Sequence, residues 1–364
     1  MTGMKKDTET LVGWKVTGRA MVGLDLADRS ASWCAMDATG ELRRGALSLT
    51  RESVGDLFLG APPCRVVMEA GTQTRWVAKE VQRAGHEALV VPATVLVRPK
   101  RRRKNDAIDA RLLMEVASDI GRKQVPVVWQ RPDDWQADLA MLRMRDAVVR
   151  SRTTLVSSVR GSVKPFGERL GDHASESLAR FAQKELPAWL LLQAAPLFEG
   201  IEALTRSVDA YDDQLQAMLL RRPESARLLQ VHGVGAVTTG VFMAVVGDPK
   251  RFPRSRDLSA YLGLAPAQEQ SGKADPQLGI SKAGDPLCRR LLVQCAQYIL
   301  GHFGRDSALR RWGLKLAGDG KNMARKKKAV IAVARKLAIL LHRLWLTGES
   351  YEPLRGCVRE ECDA

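Results

Sequence analysis

The 364-residue chain carries 57 Lys and Arg against 41 Asp and Glu residues, a formal charge of +16. Its hydrophobic content of 45% is that of a globular protein, and its length allows two or three domains with buried cores. It has no apolar run of about 20 residues and no signal-peptide pattern at MTGMKKDTET, so we expect a cytoplasmic protein without a membrane span. The charge favours a polyanionic partner, above all nucleic acid, because bound cations release counterions from a phosphate backbone.

Residues 21–120, after an expected flexible tail at 1–20, have the pattern of a mixed α/β domain. Two strands, a turn at Gly40 and a third strand come first, and CRVVMEAG then predicts a strand in the middle of a sheet. RWVAKEVQRAG has helical spacing, HEALVVPA is typical of another strand, and DAIDARLLMEVASDI is predicted to be helical. This order predicts a sheet covered by helices.

Residues 121–225 and 226–346 are predicted to be mainly helical, before a C-terminal tail at 347–364. In the first of these regions, DWQADLAMLRMRDAVVRSRTTLVSSVRGSV and EALTRSVDAYDDQLQAMLL have apolar residues at spacings of three and four. They predict two long helices that form an antiparallel hairpin or coiled coil, or serve in self-association. The hairpin is expected to turn or break in the segment that contains Pro165, Pro187 and Pro196.

Six cysteines are scattered without a CxxC pair, and the chain has five histidines. This pattern favours reduced thiols over a zinc site or disulfides.

Four acidic residues stand where a solvated surface is least expected. Asp25 lies inside the apolar strand VGLDLA, Glu69 ends the strand VVMEAG, and Asp106 and Asp109 share one face of the following helix. Because hard cations take oxygen ligands, the set predicts a site for Mg²⁺ or Mn²⁺ that could serve phosphodiester cleavage. The alternative for each residue is a loop cap or an acidic helix N-terminus.

Two basic segments are candidate nucleic-acid contacts, although a charge run is more often a solvated face. The first directly precedes the acidic pair and contains Arg98, Lys100, Arg101, Arg102, Arg103 and Lys104. The second contains Arg325, Lys326, Lys327 and Lys328. The tryptophans, Trp189 among them, are expected to be core or interface anchors rather than base-stacking platforms.

The motifs GLDLA, VMEAG and KNDAIDAR resemble the Asp-Glu-Asp-Asp motifs of the DEDD insertion-sequence transposases, the one-hundred-and-ten (IS110) family, which includes Piv-type invertases. The segments LLQVHGVGAVTTGVFMAVVGDP and QSGKADPQLGISKAGDPLCRRLLVQ are similar to that family's C-terminal transposase domain. The resemblance implies a RuvC-like, RNase H-type fold for residues 21–120 and recombination of donor and target DNA. It also implies a structured noncoding guide, a bridge RNA. Because recombination handles two duplexes and several strands, we further expect a dimer or tetramer assembled through the long middle helices.

The resemblance further implies a C-terminal catalytic serine that bonds to DNA. The family's motif matches best at Ser271, with Ser281 as the alternative. By itself a Ser-Gly-Lys sequence is more often a plain turn, but a serine near cations can attack phosphate. The candidate phosphate contacts around it are Lys273, Lys282, Arg289 and Arg290.

Two rival functions stay open on the sequence. A metal-dependent nuclease of the junction-resolvase kind would use the four carboxylates and water without a covalent step. A noncatalytic nucleic-acid-binding protein would keep the scaffold alone. The turn at Gly233 and Gly235 is either a phosphate-binding helix-hairpin-helix or a plain packing turn.

Overall fold

The computed structural model describes residues 11, 14, 18–96, 106–120, 125–267, 279–319 and 321–355. The chain divides into two compact units, Met1–Gln130 and Arg131–Ala364. In the part of the chain that is described, no helix combines the length and the apolar character needed to cross a membrane.

The first unit is a five-stranded sheet with helices on both faces. Its elements are β1 (Ala20–Leu26), β2 (Ser30–Met36), β3 (Leu42–Ser48), α1 (Arg51–Phe58), β4 (Cys64–Glu69), α2 (Thr74–Arg83), β5 (Glu87–Val91) and α3 (Asp106–Asp119). The strand order is β3-β2-β1-β4-β5, with β2 antiparallel to both β1 and β3, and with β4 and β5 parallel to β1. The predicted mixed α/β sheet is confirmed, and the continuous apolar run in β4 lies inside the sheet as expected.

The two faces of this sheet pack against different helices. Val22 and Leu24 of β1 belong to a core that also contains apolar side chains of α1 and α2. On the other face, Val67 of β4 packs with Leu113 and Ala117 of α3. Side chains along a strand alternate between faces, so this division fixes which residues of β1 and β4 lie beneath α3.

The second unit is helical, which confirms the prediction of a mostly helical remainder. Its helices are α4 (Asp133–Val163), α5 (Leu178–Glu185), α6 (Ala188–Leu220), α7 (Ser225–Leu229), α8 (Ala236–Val246), α9 (Ser255–Tyr261), α10 (Pro286–Leu300), α11 (Ala308–Ala317) and α12 (Met323–Thr347). Side-chain caps fix several starts: Asp285, Ser307 and Asn322 accept hydrogen bonds from the backbone N–H three residues later.

Helices α4 and α6 form the predicted antiparallel hairpin. Polar contacts occur in opposite chain order along the two helices, joining Asp138 to Arg221, Arg145 to Asp212, and Arg152 to Thr205. Pro165 lies in the 3-10 turn Lys164–Phe166 and Pro187 caps α6, so both lie at the turn as expected. The prediction of a break at Pro196 is wrong, because α6 continues through this residue.

The main core of the second unit surrounds α8, whose residues from Thr238 to Val246 are all buried. The side chains packed in this core come from α4, α6, α10 and α12 and include Leu139, Leu142, Leu215, Leu292 and Leu337. A buried ion pair joins Arg222, 8% exposed, to Asp138, 7% exposed. The guanidinium of Arg222 also lies 3.8 Å from the ring centre of Trp135. These contacts fix the end of the hairpin that carries this core.

Four of the six cysteines lie in the described ranges, and all four are buried free thiols: Cys34, Cys64, Cys288 and Cys295. This confirms the prediction of reduced thiols for these four positions. Burial raises the pKa of the Cys64 thiol to about 12, and it raises the pKa of Cys288 as well. Such thiols stay protonated at neutral pH and act as small apolar side chains.

Candidate functional site

Asp25 and Glu69 occupy equivalent positions on neighbouring parallel strands. Leu24 of β1 pairs with Met68 of β4, and each carboxylate follows its member of this pair by one residue. Residues in register on adjacent strands project to the same face of a sheet. The two carboxylates therefore lie side by side at the carboxyl ends of β1 and β4, and both side chains are half-buried.

Gly23 identifies the face on which these carboxylates lie. It precedes Asp25 by two residues, so the two share a face of β1. A Cβ on Gly23 would lie 2.0 Å from the carbonyl oxygen of Ala110 and 2.4 Å from the backbone nitrogen of Met114. The backbone of α3 therefore presses directly on this face, and Asp25 and Glu69 lie on the side of the sheet that α3 covers.

The direction of α3 follows from a contact at its other end. Arg65, near the start of β4, donates a hydrogen bond from Nη1 to the carbonyl oxygen of Ile120 at 2.8 Å. Because Ile120 directly follows α3, the helix ends at the amino end of β4 and runs antiparallel to that strand. Its first turn, with Asp106 and Asp109, therefore lies at the carboxyl ends of the strands.

The four carboxylates predicted from the sequence thus come from three elements that meet at one edge of the sheet. They differ in exposure, since Asp109 is only 3% exposed whereas Asp106, one turn earlier, is exposed. Sequence spacing placed both aspartates on one helix face and did not distinguish them.

Thr74 is a further residue of this edge that the sequence pattern did not single out. It is buried, and its hydroxyl donates to the carbonyl oxygen of Glu69 at 2.7 Å and accepts from the backbone N–H of Gly71 at 2.9 Å. Through these bonds, Thr74 at the start of α2 holds the backbone of Glu69 at the end of β4 in place. A signal was present in the sequence, because threonine five residues after the VMEAG glutamate can close such a turn.

The donor set at this edge suits a hard divalent cation, because Mg²⁺ and Mn²⁺ bind carboxylate oxygens and retain positions for phosphate oxygens and water. Within the described ranges, no group of three or more His, Cys, Asp or Glu side chains has an arrangement that could hold a metal ion. The fit therefore rests on the chemistry and common location of the carboxylates, and the metal site stays a prediction.

Several predicted residues lie outside the described residues. They are Arg98, Lys100, Arg101, Arg102, Arg103 and Lys104 of the first basic segment, together with Ser271 and Lys273. The roles predicted for them stay predictions.

Residues 265–267 and 279–281, which flank Ser271 in the chain, form a short two-stranded stem in the second unit. Pro266 and Ile280 form an antiparallel bridge. Beside it, the N–H of Ala267 donates to the carbonyl oxygen of Gly279 at 2.8 Å, and that of Ser281 donates to Ala265 at 2.9 Å. The alternative serine, Ser281, is thus an exposed member of the stem.

The predicted phosphate contacts beside the stem have distinct environments. Lys282 is exposed and has a φ of 56°, an uncommon conformation for a residue other than glycine. Arg289 donates from Nη1 to the carbonyl oxygens of Leu262 and Ala283 at 3.1 and 2.6 Å, so it ties both sides of the stem together. Arg290 forms an ion pair with Asp146 of α4.

The second basic segment lies in the first two turns of α12. Arg325, Lys326, Lys327 and Lys328 are all exposed there. Cations at a helix N-terminus oppose the macrodipole, so local stability does not explain them. Their position suits contact with an anion, because the positive end of the helix and the four side chains attract the same partner.

The turn between α7 and α8 confirms the predicted helix, Gly-x-Gly turn, helix arrangement. Gly233 has a φ of 88°, and a Cβ there would lie 2.9 Å from Cγ1 of Ile299 and 3.0 Å from Cδ1 of Tyr298. This close approach to α10 accounts for the glycine through packing, while phosphate binding at the turn stays a prediction.

Comparisons with known proteins cover both units. A family model described as Transposase IS116/IS110/IS902 family matches residues 225–311, and a second model, described as Transposase and named for DEDD transposases of the IS110 type, matches residues 22–165. The transposase for insertion sequence element IS1111A of Coxiella burnetii is 31% identical over 91% of this chain and 91% of its own length. The transposase for IS1328 of Yersinia enterocolitica is 31% identical over 76% of this chain and 83% of its own length. The pilin gene-inverting protein of Moraxella lacunata is 27% identical over 65% of this chain and 64% of its own length.

Proposed function

The chain belongs to the IS116/IS110/IS902 family of transposases, and we propose that it recombines DNA with a carboxylate metal site and a serine nucleophile. Proteins of this family are transposases or DNA invertases, enzymes that cleave and rejoin DNA. The observation that carries the proposal is the common location of carboxylates from β1, β4 and α3 at one edge of the first unit's sheet.

The metal site of the proposal consists of Asp25, Glu69, Asp106 and Asp109. The DEDD family implies a divalent metal ion, and we propose Mg²⁺ or Mn²⁺. When bound, such an ion would polarise a phosphoryl oxygen, and two such ions would stabilise charge on both the attacking and the leaving oxygen. The strand order, with three antiparallel strands followed by two parallel ones, supports a RuvC-like fold for residues 21–120.

Ser271 is the proposed nucleophile, with Ser281 as the alternative. Its Oγ loses its proton to solvent and attacks the scissile phosphorus, and the bond from phosphorus to the 3′ oxygen breaks. The departing oxygen takes up a proton and becomes a free 3′ hydroxyl, while the phosphate stays on the serine. Rejoining reverses these steps, since a 3′ hydroxyl from another strand attacks the phosphoserine and releases the serine.

The remaining parts of the proposal concern nucleic acid and assembly. The proposed contacts to donor and target DNA are Arg98, Lys100, Arg101, Arg102, Arg103, Lys104, Lys273, Lys282, Arg289, Arg290, Arg325, Lys326, Lys327 and Lys328. We further propose a structured guide RNA, and a dimer or tetramer assembled through the coiled-coil region 121–225. The C-terminal transposase domain would then span 226–346.

Trapping of a covalent adduct tests the serine. Full-length protein, purified together with its bound RNA, is incubated with labelled DNA from the ends of its own element and Mg²⁺, then denatured and separated by electrophoresis. We expect a protein-DNA adduct that is lost in Ser271→Ala and retained in the matched variant Ser281→Ala. Cleavage without an adduct, undiminished in both variants, would instead establish the hydrolytic nuclease.

The variants Asp25→Asn and Glu69→Gln test the carboxylates, because they keep the side-chain size and remove the charge. We expect both to abolish strand cleavage while DNA binding persists. Should the unmodified protein bind DNA and leave it uncut under all metal conditions, the noncatalytic alternative would be correct. Sequencing of RNA that co-purifies with the protein tests the guide, whose loops should match the DNA that flanks the gene.

A further inference from the structure

The turn of the α4-α6 hairpin encloses a cavity of about 520 Å³. Three cations line it, Arg160 at the end of α4 and Lys164 and Arg169 in the connection that follows. The carboxylate in the lining, Asp172, is fully exposed to solvent and lies 3.6 Å from Arg160. The cavity therefore has a positively charged wall.

The three cations differ in what holds them. Arg160 is part of the wall, because its Nη2 donates to the carbonyl oxygens of Gly171 and His173 at 3.1 and 2.9 Å. The side chains of Lys164 and Arg169 are exposed and form no hydrogen bond or ion pair with any of the described residues. Their charges are available to an anion that enters the cavity, and a phosphate group has the size and charge to accept both.

Two exposed aromatic rings belong to the same connection and the start of the helix that follows it. Phe166, two residues after Lys164, is 57% exposed, and Trp189, in the first turn of α6, is 51% exposed. Their ring centres are 5.0 Å apart and their planes meet at 88°. Large aromatic side chains are costly to leave in water, and exposed rings in the same turn region as free cations are typical of surfaces that bind single strands.

We propose that this hairpin turn binds single-stranded DNA, with a backbone phosphate in the cavity and a base stacked on Phe166 or Trp189. Charge complementarity favours a polyanion over a second protein chain, because a protein partner would have to neutralise Lys164 and Arg169. Strand exchange by a transposase supplies unpaired DNA. The inference goes beyond the proposed function, since binding can be measured without cleavage.

Fluorescence anisotropy with a labelled oligo-dT strand of about 20 nucleotides tests the aromatic contacts. Saturating unlabelled duplex is included to occupy surfaces that bind double-stranded DNA. We expect the double variant Phe166→Ala, Trp189→Ala to lower the affinity on the order of tenfold, because stacking of one base is lost. Leu192→Ala, which removes another exposed apolar side chain three residues further along α6, is the matched control and should leave the affinity unchanged.

The salt dependence of the same binding tests the cations. The double variant Lys164→Glu, Arg169→Glu should weaken binding and reduce the slope of log K against log salt by about 0.7 for each phosphate that the protein no longer neutralises. Arg206→Glu, an exposed charge reversal in the middle of α6, should leave the slope unchanged. Unaltered thermal melting of each variant shows that the fold is intact.

Three results would overturn the proposal. Unchanged oligo-dT affinity in both double variants would exclude a single-strand surface. If the aromatic and Leu192 variants formed smaller assemblies than the parent protein in light scattering but bound oligo-dT equally well, the surface would be a protein interface. If the double variants lost affinity for oligo-rU of the same length but not for oligo-dT, the occupant would be RNA.

Discussion

Replacement of Gly23 by alanine adds one methyl group at the point where β1 meets α3. The new Cβ would lie 2.0 Å from the carbonyl oxygen of Ala110, 2.4 Å from the nitrogen of Met114 and 2.9 Å from the carbonyl carbon of Leu113. All three atoms belong to the backbone of α3, so no change of side-chain rotamer can make room. The helix itself has to move.

The size of the movement follows from these distances. The shortest of these contacts, 2.0 Å to the oxygen of Ala110, has to lengthen to an ordinary nonbonded distance of about 3.5 Å, so α3 has to retreat from β1 by about 1.5 Å. Overpacking of a core costs about 1 to 3 kcal/mol. We expect Gly23→Ala to lie at the upper end of this range, about 3 kcal/mol, because the obstacle is helix backbone.

The movement also separates the proposed metal ligands. Asp109 is adjacent to Ala110, whereas Asp25 stays on β1, so a retreat of α3 draws these carboxylates apart. A misplacement of about 1 Å can reduce catalysis by about 100-fold. Urea unfolding measures the stability change, calorimetric titration with Mn²⁺ measures the metal affinity, and strand cleavage is measured on the folded fraction. We expect losses in all three.

Gly55→Ala is the matched control in the same unit. Gly55 is exposed in α1, and a methyl group added to it would have no heavy atom of another element within 4 Å. Alanine there should stabilise the helix by up to about 1 kcal/mol and leave metal affinity and cleavage unchanged. If Gly23→Ala were as stable as the parent protein and bound Mn²⁺ equally well, the close approach of β1 to α3 would not control the site.

Three further predictions concern the rest of the fold. Asp138→Ala should lower the free energy of unfolding by about 3 kcal/mol in urea melts, because it removes the buried partner of Arg222, and a decrease below about 1 kcal/mol would contradict this. Burial raises the pKa of the Cys64 thiol from its usual 9.0 to about 12 in the folded protein. The stability that the buried thiol contributes is therefore complete below pH 9.0 and is lost as the pH rises towards about 12. From pH 9 upwards, the free energy of unfolding should therefore fall less steeply with pH in Cys64→Ala than in the parent protein, by up to about 1.4 kcal/mol per pH unit. Parallel pH profiles of the two proteins would refute the assignment. Asp285→Ala removes the cap of α10 and the partner of Arg143, so the free energy of unfolding should fall by about 1 to 2 kcal/mol in thermal melts, whereas unchanged melting would show that neither interaction stabilises the fold.

The sequence alone determined the main strands and several helices of the described parts and the identity of the candidate carboxylates, whereas α1, α5, α9 and α11 were not predicted. Alternation and helical spacing are properties of neighbouring residues, so β1 to β5, α3 and the two hairpin helices were predictable from local pattern. The apolar surroundings of Asp25 and Glu69 already marked them as unusual, because charge in a buried strand needs a partner.

Only the tertiary structure decided which of these residues meet and which side chains stay exposed. The register of β1 with β4 and the antiparallel course of α3 bring distant carboxylates to one edge, and pairing across long sequence separations leaves no local period. Neighbours from other elements likewise decide three further features. They are the burial of Asp109 beside the exposed Asp106, the continuation of α6 through Pro196, and the exposure of Trp189. The physical reason is that periodicity fixes the face of an element, whereas packing against a partner decides whether that face meets protein or water.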